Sequence, residues 1–172
     1  MIDIRSLKPS DVIHLESQPF PHAPKHHDRL ARQQQGDVVY LIAWIDGLPV
    51  GHLLLKWGGT TDPPMADVLA QCPDIEDLFV LPDYRQRGIA TRLMDAAEAL
   101  ASQNGYPLVG LGAGAEETDI ARQMYERRGY ADAGFGEYVE SGTAFDQAGR
   151  EFRWEARCLY LIKTLHADRT SP

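Results

Sequence analysis

Asp77-Leu78-Phe79-Val80-Leu81-Pro82-Asp83-Tyr84-Arg85-Gln86-Arg87-Gly88-Ile89-Ala90 is the stretch on which the reading of this chain turns. The apolar run Leu78–Leu81 suits a strand, and Pro82, which has no N–H to give a ladder, ends it. Beyond the turn, Ile89, Leu93, Met94, Ala97 and Leu100 recur at helical spacing. The first N–H groups of a helix lack internal partners, and the helix dipole is positive there. A phosphate fits such an end if the backbone can be approached closely. Gly88 has no Cβ, Ala90 carries only a methyl, and Arg85 and Arg87 bring positive charge to the same place. Singly, these are a turn glycine and two solvated arginines. Together, after a strand and before a helix, they read as a phosphate-gripping loop.

Working outward, Ile75–Leu81 is the strand that feeds this loop. Gly105 and Pro107 stop the helix, and Leu108–Leu111 forms a short buried strand. The crossover is a βαβ unit, so its two strands should run parallel. Upstream, Ile2–Leu7 suggests an opening strand, Pro9-Ser10-Asp11 a helix start, and His26–Gln35 a polar helix. Val38–Ile45 and Pro49–Trp57 flank Asp46-Gly47 as a hairpin. Downstream, Thr118 can cap a short helix carrying Ile120, Ala121, Met124 and Tyr125, which Gly129 ends. Strands are expected at Gly134–Val139 and Phe152–Ile162. The fold class is α/β: one domain over residues 1–172, a mixed and mostly antiparallel sheet with helices on both faces.

Composition bounds the function. The 172 residues suit one core, and the charge of -8 argues against a nucleic-acid surface, which needs a basic stripe. No apolar run is long enough to span a bilayer, and the N-terminus lacks the plan of a signal peptide. A cytoplasmic protein is expected. Cys72 and Cys158 are too few for a disulfide framework and read as reduced, buried side chains. His22, His26 and His27 match no common zinc spacing, so no metal is expected; they read as a substrate loop or as solvated side chains.

The phosphate loop, Arg85-Gln86-Arg87-Gly88-Ile89-Ala90, matches R/Q-x-x-G-x-G/A, the signature of the general-control-related N-acetyltransferases (GNAT). Met124-Tyr125-Glu126-Arg127-Arg128-Gly129-Tyr130 resembles the family's [FY]-Y-E-[KR]-x-G-[FY], with Met124 departing at the first position. The close resemblance covers about Ile75–Tyr130. It implies two parallel strands splayed like a V that admits acetyl-CoA, the pantetheine arm adding to the exposed edge near Phe79, Val80 and Leu81. The pyrophosphate would lie on the N–H groups of Arg87, Gly88, Ile89 and Ala90. Tyr125 stands where the family places the acid that protonates the leaving thiolate; otherwise it is a core tyrosine. Thr118 stands where the family often has a cofactor-facing asparagine.

Ile75-Glu76-Asp77-Leu78-Phe79-Val80 resembles the L-E-D-F-F-V stretch of spermidine/spermine N-acetyltransferases, where the glutamate relays the amine's proton through water. Glu76 is therefore the candidate base, unless it merely faces solvent, and Asp77 a candidate contact for a cationic substrate. Simple alternation puts Glu76 with Leu78 and Val80 on one face and Asp77 with Phe79 on the other. Gly110-Leu111-Gly112-Ala113-Gly114-Ala115 satisfies G-x-G-x-x-A, a dinucleotide fingerprint, but no second βαβ repeat follows. These glycines instead let the second splayed strand pass close to cofactor or substrate. The expected activity is transfer of an acetyl group from acetyl-CoA to a primary amine, of a polyamine-like molecule, amino acid, aminoglycoside or protein N-terminus. The acidic balance tilts toward a small cation. The alternative is an acyl-CoA sensor without turnover. Related proteins often dimerise through C-terminal strands, and Cys158–Ile162 could form the apolar edge of a homodimer.

Overall fold

The computed structural model describes residues 1–20, 25–146 and 148–165. A strand, β1 (Ile2–Ser6), leads through a tight helical turn into α1 (Val12–Glu16) and α2 (His26–Gln35). The hairpin β2 (Val38–Ile45) and β3 (Leu48–Lys56) follows, then the single turn α3 (Met65–Val68). The βαβ crossover is β4 (Asp74–Val80), α4 (Ile89–Gln103) and β5 (Leu108–Gly114). After α5 (Ile120–Arg127) come β6 (Ala131–Asp132), β7 (Tyr138–Phe145) and β8 (Glu151–Thr164). The sheet runs β1-β2-β3-β4-β5-β8-β6, with β7 also paired to β8.

Both faces of this sheet are covered, which is why β2 reads as an unbroken apolar run. Leu41, Leu53, Leu55, Ile75 and Val80 pack under α4 against Ile89, Leu93, Met94 and Ala97. On the other face Tyr40, Ile42, Trp44 and Leu54 meet Leu7, Val12, Leu15 and Phe20. As expected from the crossover, β4 and β5 are parallel, but they pair only at Asp74 with Gly110 and Ile75 with Leu111. Beyond those two pairs they diverge, and β5 carries on alongside β8 as far as Gly114. The separation opens a V in the middle of the sheet.

Several expectations need correction. Strand β4 does not alternate regularly. Leu54 faces Glu76 and His52 faces Phe79, so Asp77 and Leu78 together stand opposite Leu53. This is a bulge, and Asp77 sits in the left-handed region at φ 50. The extra residue reverses the alternation: Glu76 and Phe79 lie on the α1–α2 side, opposite to Val80 under α4. Asp119, not Thr118, caps α5: its Oδ1 accepts from the Arg122 N–H at 2.7 Å. Strand β5 runs on past Leu111 to Gly114, so the glycine run belongs to the second splayed strand, as expected, and only the strand's end is moved. The run Cys158–Ile162 is not an edge, because β8 pairs with β5 on one side and with β6 and β7 on the other. The edge argument for a homodimer is thereby lost. The strand expected at Gly134–Val139 begins later, at Tyr138.

Candidate functional site

The loop that leaves β4 is shaped by its sequence. Pro82 starts a helical turn over Pro82–Tyr84, Gln86 takes φ 60 and Gly88, the N-cap of α4, takes φ 75. Two left-handed residues in three steps bring the chain into α4, whose first N–H groups have no partner within the helix and can receive an anion, the arrangement of an anion nest at a helix N-terminus. A Cβ built on Gly88 would meet no atom within 4 Å, so the glycine is required by its φ and opens onto free space.

That space is a cleft of about 640 Å³. Leu78, Phe79 and Val80 of β4 line one side, Arg85, Gln86, Gly88, Ile89 and Ala90 the end, and Ala121, Met124 and Tyr125 of α5 the far wall. The Leu81 N–H donates to the Val50 carbonyl at 2.9 Å. By antiparallel alternation the neighbouring Val80 peptide then points away from β3, into the V. Arg85 Nε donates to the Val80 carbonyl at 3.0 Å, and the guanidinium lies 5.5 Å from the Phe79 ring centroid. Arg87 turns outward, donating to the Asp83 carbonyl at 3.1 Å above Tyr84. Thr118 is exposed and outside the cleft lining. A hollow of about 710 Å³ between β1, β2 and α4 is lined mostly by apolar groups such as Val38, Leu41 and Leu100, and holds no comparable chemistry.

Tyr125 is 8% exposed yet lines the cleft. Burial, with a smaller contribution from the Asp119 charge, pushes its phenol up to about 12. The proton therefore stays on the oxygen at neutral pH, as a donor requires. The rest of the tyrosine motif holds α5 in place. Arg128 Nη2 pairs with Asp95 at 2.6 Å and Glu98 at 3.0 Å, the Tyr130 hydroxyl donates to Glu98 at 3.1 Å, and Lys163 reaches the same carboxylate at 2.6 Å.

On the other side of the V stands a set of polar residues. Asp77, at the bulge, is paired with Arg29 of α2, whose Nη1 also donates to the Tyr40 hydroxyl at 3.1 Å. Arg29 is 3% exposed, so the bulge is tied to the helix that covers it. His26, expected in a loop or in solvent, is fully buried with Nδ1 2.9 Å from the Tyr40 oxygen, whereas His27 lies at the surface beside Glu16. His22 lies outside the described residues. Glu76 Oε1 accepts from Lys56 Nζ at 2.5 Å, and Asp74 Oδ2 lies 3.5 Å from the same nitrogen.

Sequence reasoning missed Lys56, Asp74, Tyr138, Glu140 and Tyr160. The glycines of β5 were the available signal. A Cβ on Gly110 would collide with the Tyr160 ring, and one on Gly112 with Glu140 and the Tyr138 hydroxyl. A Cβ on Gly114 would come within 2.6 Å of Asp119. These glycines make room for polar side chains rather than for a nucleotide. Among the described residues no three His, Cys, Asp or Glu side chains are grouped as a metal site. No described helix is long and apolar enough to cross a membrane.

A sheet split into a V, an anion nest at its mouth and a proton-bearing tyrosine across the cleft define an acyl-CoA-type transferase fold. The family model for the acetyltransferase (GNAT) family matches residues 10–130, and the chain belongs to that family. The uncharacterized N-acetyltransferase YhfO of Bacillus subtilis is 40% identical over 110 residues, covering 63% of this chain and 69% of that protein. Among solved structures, YncA of Salmonella typhimurium, a putative acetyltransferase with its cofactor acetyl-CoA, has a TM-score of 0.65 at 15% identity. The superposition covers 100% of this chain and 98% of that one. The ribosomal-protein-S18-alanine N-acetyltransferase of Escherichia coli gives 0.63 at 16%, over 100% of this chain and 99% of its own. At these identities the likeness is one of fold.

Proposed function

We propose that this N-acetyltransferase moves the acetyl group of acetyl-CoA to a primary amine of a small cationic molecule, by direct attack in a ternary complex. The V between β4 and β5, closed by the nest at Gln86–Ala90, is the observation that carries the reading. The pyrophosphate lies on the N–H groups around Gly88 with Arg85 beside it, and the pantetheine arm follows Phe79 and Val80. The thioester then stands between Val80, whose inward N–H receives the developing oxyanion, and Tyr125.

The acceptor enters from the α1–α2 side, where Glu76 faces the opening. Its ammonium gives one proton to the Glu76 carboxylate, directly or through water. The free amine attacks the thioester carbonyl; the C–N bond forms and the C–S bond breaks. The thiolate takes the Tyr125 proton, and the second proton of the attacking nitrogen restores the phenol. One proton leaves through Glu76 and one ends on the thiol. No cysteine takes part: both are buried, and burial pushes their thiols up, to about 11 for Cys72 and about 12 for Cys158.

Support for a cationic acceptor comes from the acidic residues grouped on this side, Asp62, Glu76 and Glu140 with Asp74 buried behind them, and from the net charge of -8. The local likeness of Ile75–Val80 to spermidine/spermine N-acetyltransferases points the same way. Asp77 adds charge to this side but is engaged by Arg29, so its contact with substrate is indirect. Thiol release from acetyl-CoA, measured over polyamines, aminoglycosides, amino acids and an alanine-initial peptide, tests the reading. Polyamine-like amines are expected to react best. Release with the peptide alone overturns the small-cation assignment, and no release with any amine favours a sensor.

A further inference from the structure

Resting on the acetyltransferase reading, the geometry points to Asp74 as a positioning residue: Lys56 is a movable counter-ion that clamps Glu76 while Asp74 holds a proton and swings to Asp74 once that proton leaves, freeing Glu76 to take the acceptor's proton.

Three observations carry this. First, the placement. Asp74 and Glu76 are two residues apart on β4, before the bulge, and so share one face; Lys56 is the direct cross-strand partner of Asp74 on β3. One ammonium thus serves two carboxylates. Second, the asymmetry. Lys56 Nζ is 2.5 Å from Glu76 but 3.5 Å from Asp74, as expected when its charge is answered by Glu76 and Asp74 is neutral. Third, the burial. Asp74 is 3% exposed at the foot of the V, whereas the Glu76 side chain is 42% exposed at its opening. A second anion in that depth, sharing one cation, is costly, so Asp74 is the member that takes the proton.

The groups facing Asp74 are few. From β8 the Tyr160 hydroxyl donates to Oδ1 at 3.0 Å. Lys56 comes from β3 and Glu76 from β4, Cys72 precedes the strand, and β5 offers only Gly110. From β7, Tyr138 acts on Tyr160, and Glu140 is acted on by Asp62 and by Glu76. Burial first, then the Glu76 charge, raise the Asp74 carboxyl to about 8, while Lys56 and the Tyr160 hydrogen bond work in the other direction. Burial lowers Lys56, but the two carboxylates outweigh it and hold it above its ordinary value, so the counter-ion keeps its charge throughout. With Asp74 protonated the unit is one cation and one anion. When Asp74 ionises, the ammonium is drawn toward the deeper charge, and Glu76 is left facing the acceptor without its counter-ion.

The test compares kcat/KM against pH for one amine in wild type, Asp74→Asn, Lys56→Met and the double variant. An infrared titration of the cofactor-free protein runs beside it. Wild type should show a rise beyond the amine's own ionisation, and Asp74→Asn should lose it, falling about tenfold behind wild type by about pH 9. On the Lys56→Met background the Asp74 substitution should change the profile no further, since Asp74 acts through Lys56. The infrared spectrum should lose a carboxylic-acid band over the same range, and Asp74→Asn should lack it. If Asp74→Asn does not fold, Tyr160→Phe serves instead. Removing that donor should move the rise to higher pH by about one unit. Turnover with identical profiles in wild type and these variants overturns the proposal and leaves the acetyltransferase reading standing. No turnover with any amine overturns that reading, and the absence of the infrared change then overturns the switch as well.

Discussion

Tyr125 and Gly88 carry the sharpest consequences at the scale of a single residue. The phenol lines the cleft and keeps its proton, because burial raises it to about 12. Tyr125→Phe removes the O–H and keeps the ring against Tyr130. Turnover should fall by about 10²-fold while acetyl-CoA affinity changes little, since the lost interaction is made in the transition state. Normal kcat on a folded variant would return Tyr125 to the core. Gly88→Val acts differently. A β-branched residue at φ 75 is strained, at a cost of about 1–3 kcal/mol, and its methyls would occupy the open space over the nest. Calorimetry should show acetyl-CoA binding at least about tenfold weaker in a protein that still folds. Unchanged affinity would remove the phosphate from this loop. Both residues were legible in the sequence because each sits in a short motif whose chemistry is local. Glu76 was legible as a residue but not as a direction. Its face depends on the extra residue at Asp77, and nothing in Ile75–Val80 announces a bulge on a non-glycine residue.

At the scale of elements, the strand–loop–helix unit of β4 and α4 could be read because Pro82, Gly88 and the apolar helix face are local signals. The contacts that fix one element against another could not. Arg128 and Tyr130 belong to the second motif, but the motif does not say what they touch: they meet Lys163 of β8 on Glu98 of α4, a carboxylate only 12% exposed. This junction holds α5, and with it Tyr125, across the cleft. Glu98→Ala leaves two cations and a phenol around an empty site. It should cost about 3 kcal/mol in denaturant unfolding, because Lys163 and the Tyr130 hydroxyl lose their partner and Arg128 keeps only Asp95. Glu98→Gln, which still accepts from Tyr130, should cost less. Equal stability of wild type and Glu98→Ala would show that α5 is held by its apolar contacts alone. The glycines of β5 make the same point: their spacing matched a nucleotide fingerprint, and only the packing of β7 and β8 shows what fills the room they leave.

Across the whole molecule the burial of carboxyl groups sets how stability follows pH. Asp74 is raised by burial and by Glu76, and Glu140 by burial foremost, with Asp62 and Glu76 adding to it and the Tyr138 hydrogen bond easing it. For each, the folded state binds a proton more tightly than the unfolded chain does. Between the ordinary carboxylate range and the raised value, the unfolded state has released the proton and the folded state still holds it. Stability must then fall as pH rises, by at most about 1.4 kcal/mol per pH unit for each such group. Asp11 has the opposite sign. The Arg5 hydrogen bond foremost, against an opposing burial effect, holds it low, at 2.5 Å from Nη1. Its contribution is present above the unfolded value and is lost only as pH drops through the folded one. The two trends leave a maximum on the mildly acidic side. Thermal unfolding followed from about pH 4 to about pH 9 should show Tm highest near about pH 5 and declining through neutrality. Asp74→Asn keeps an acceptor for Tyr160 but cannot ionise, so its decline should be shallower, with the gap to wild type widening toward about pH 8. A decline of equal slope in both proteins would mean that Asp74 ionises in the folded state much as it does in the unfolded chain, and that its burial is relieved by water.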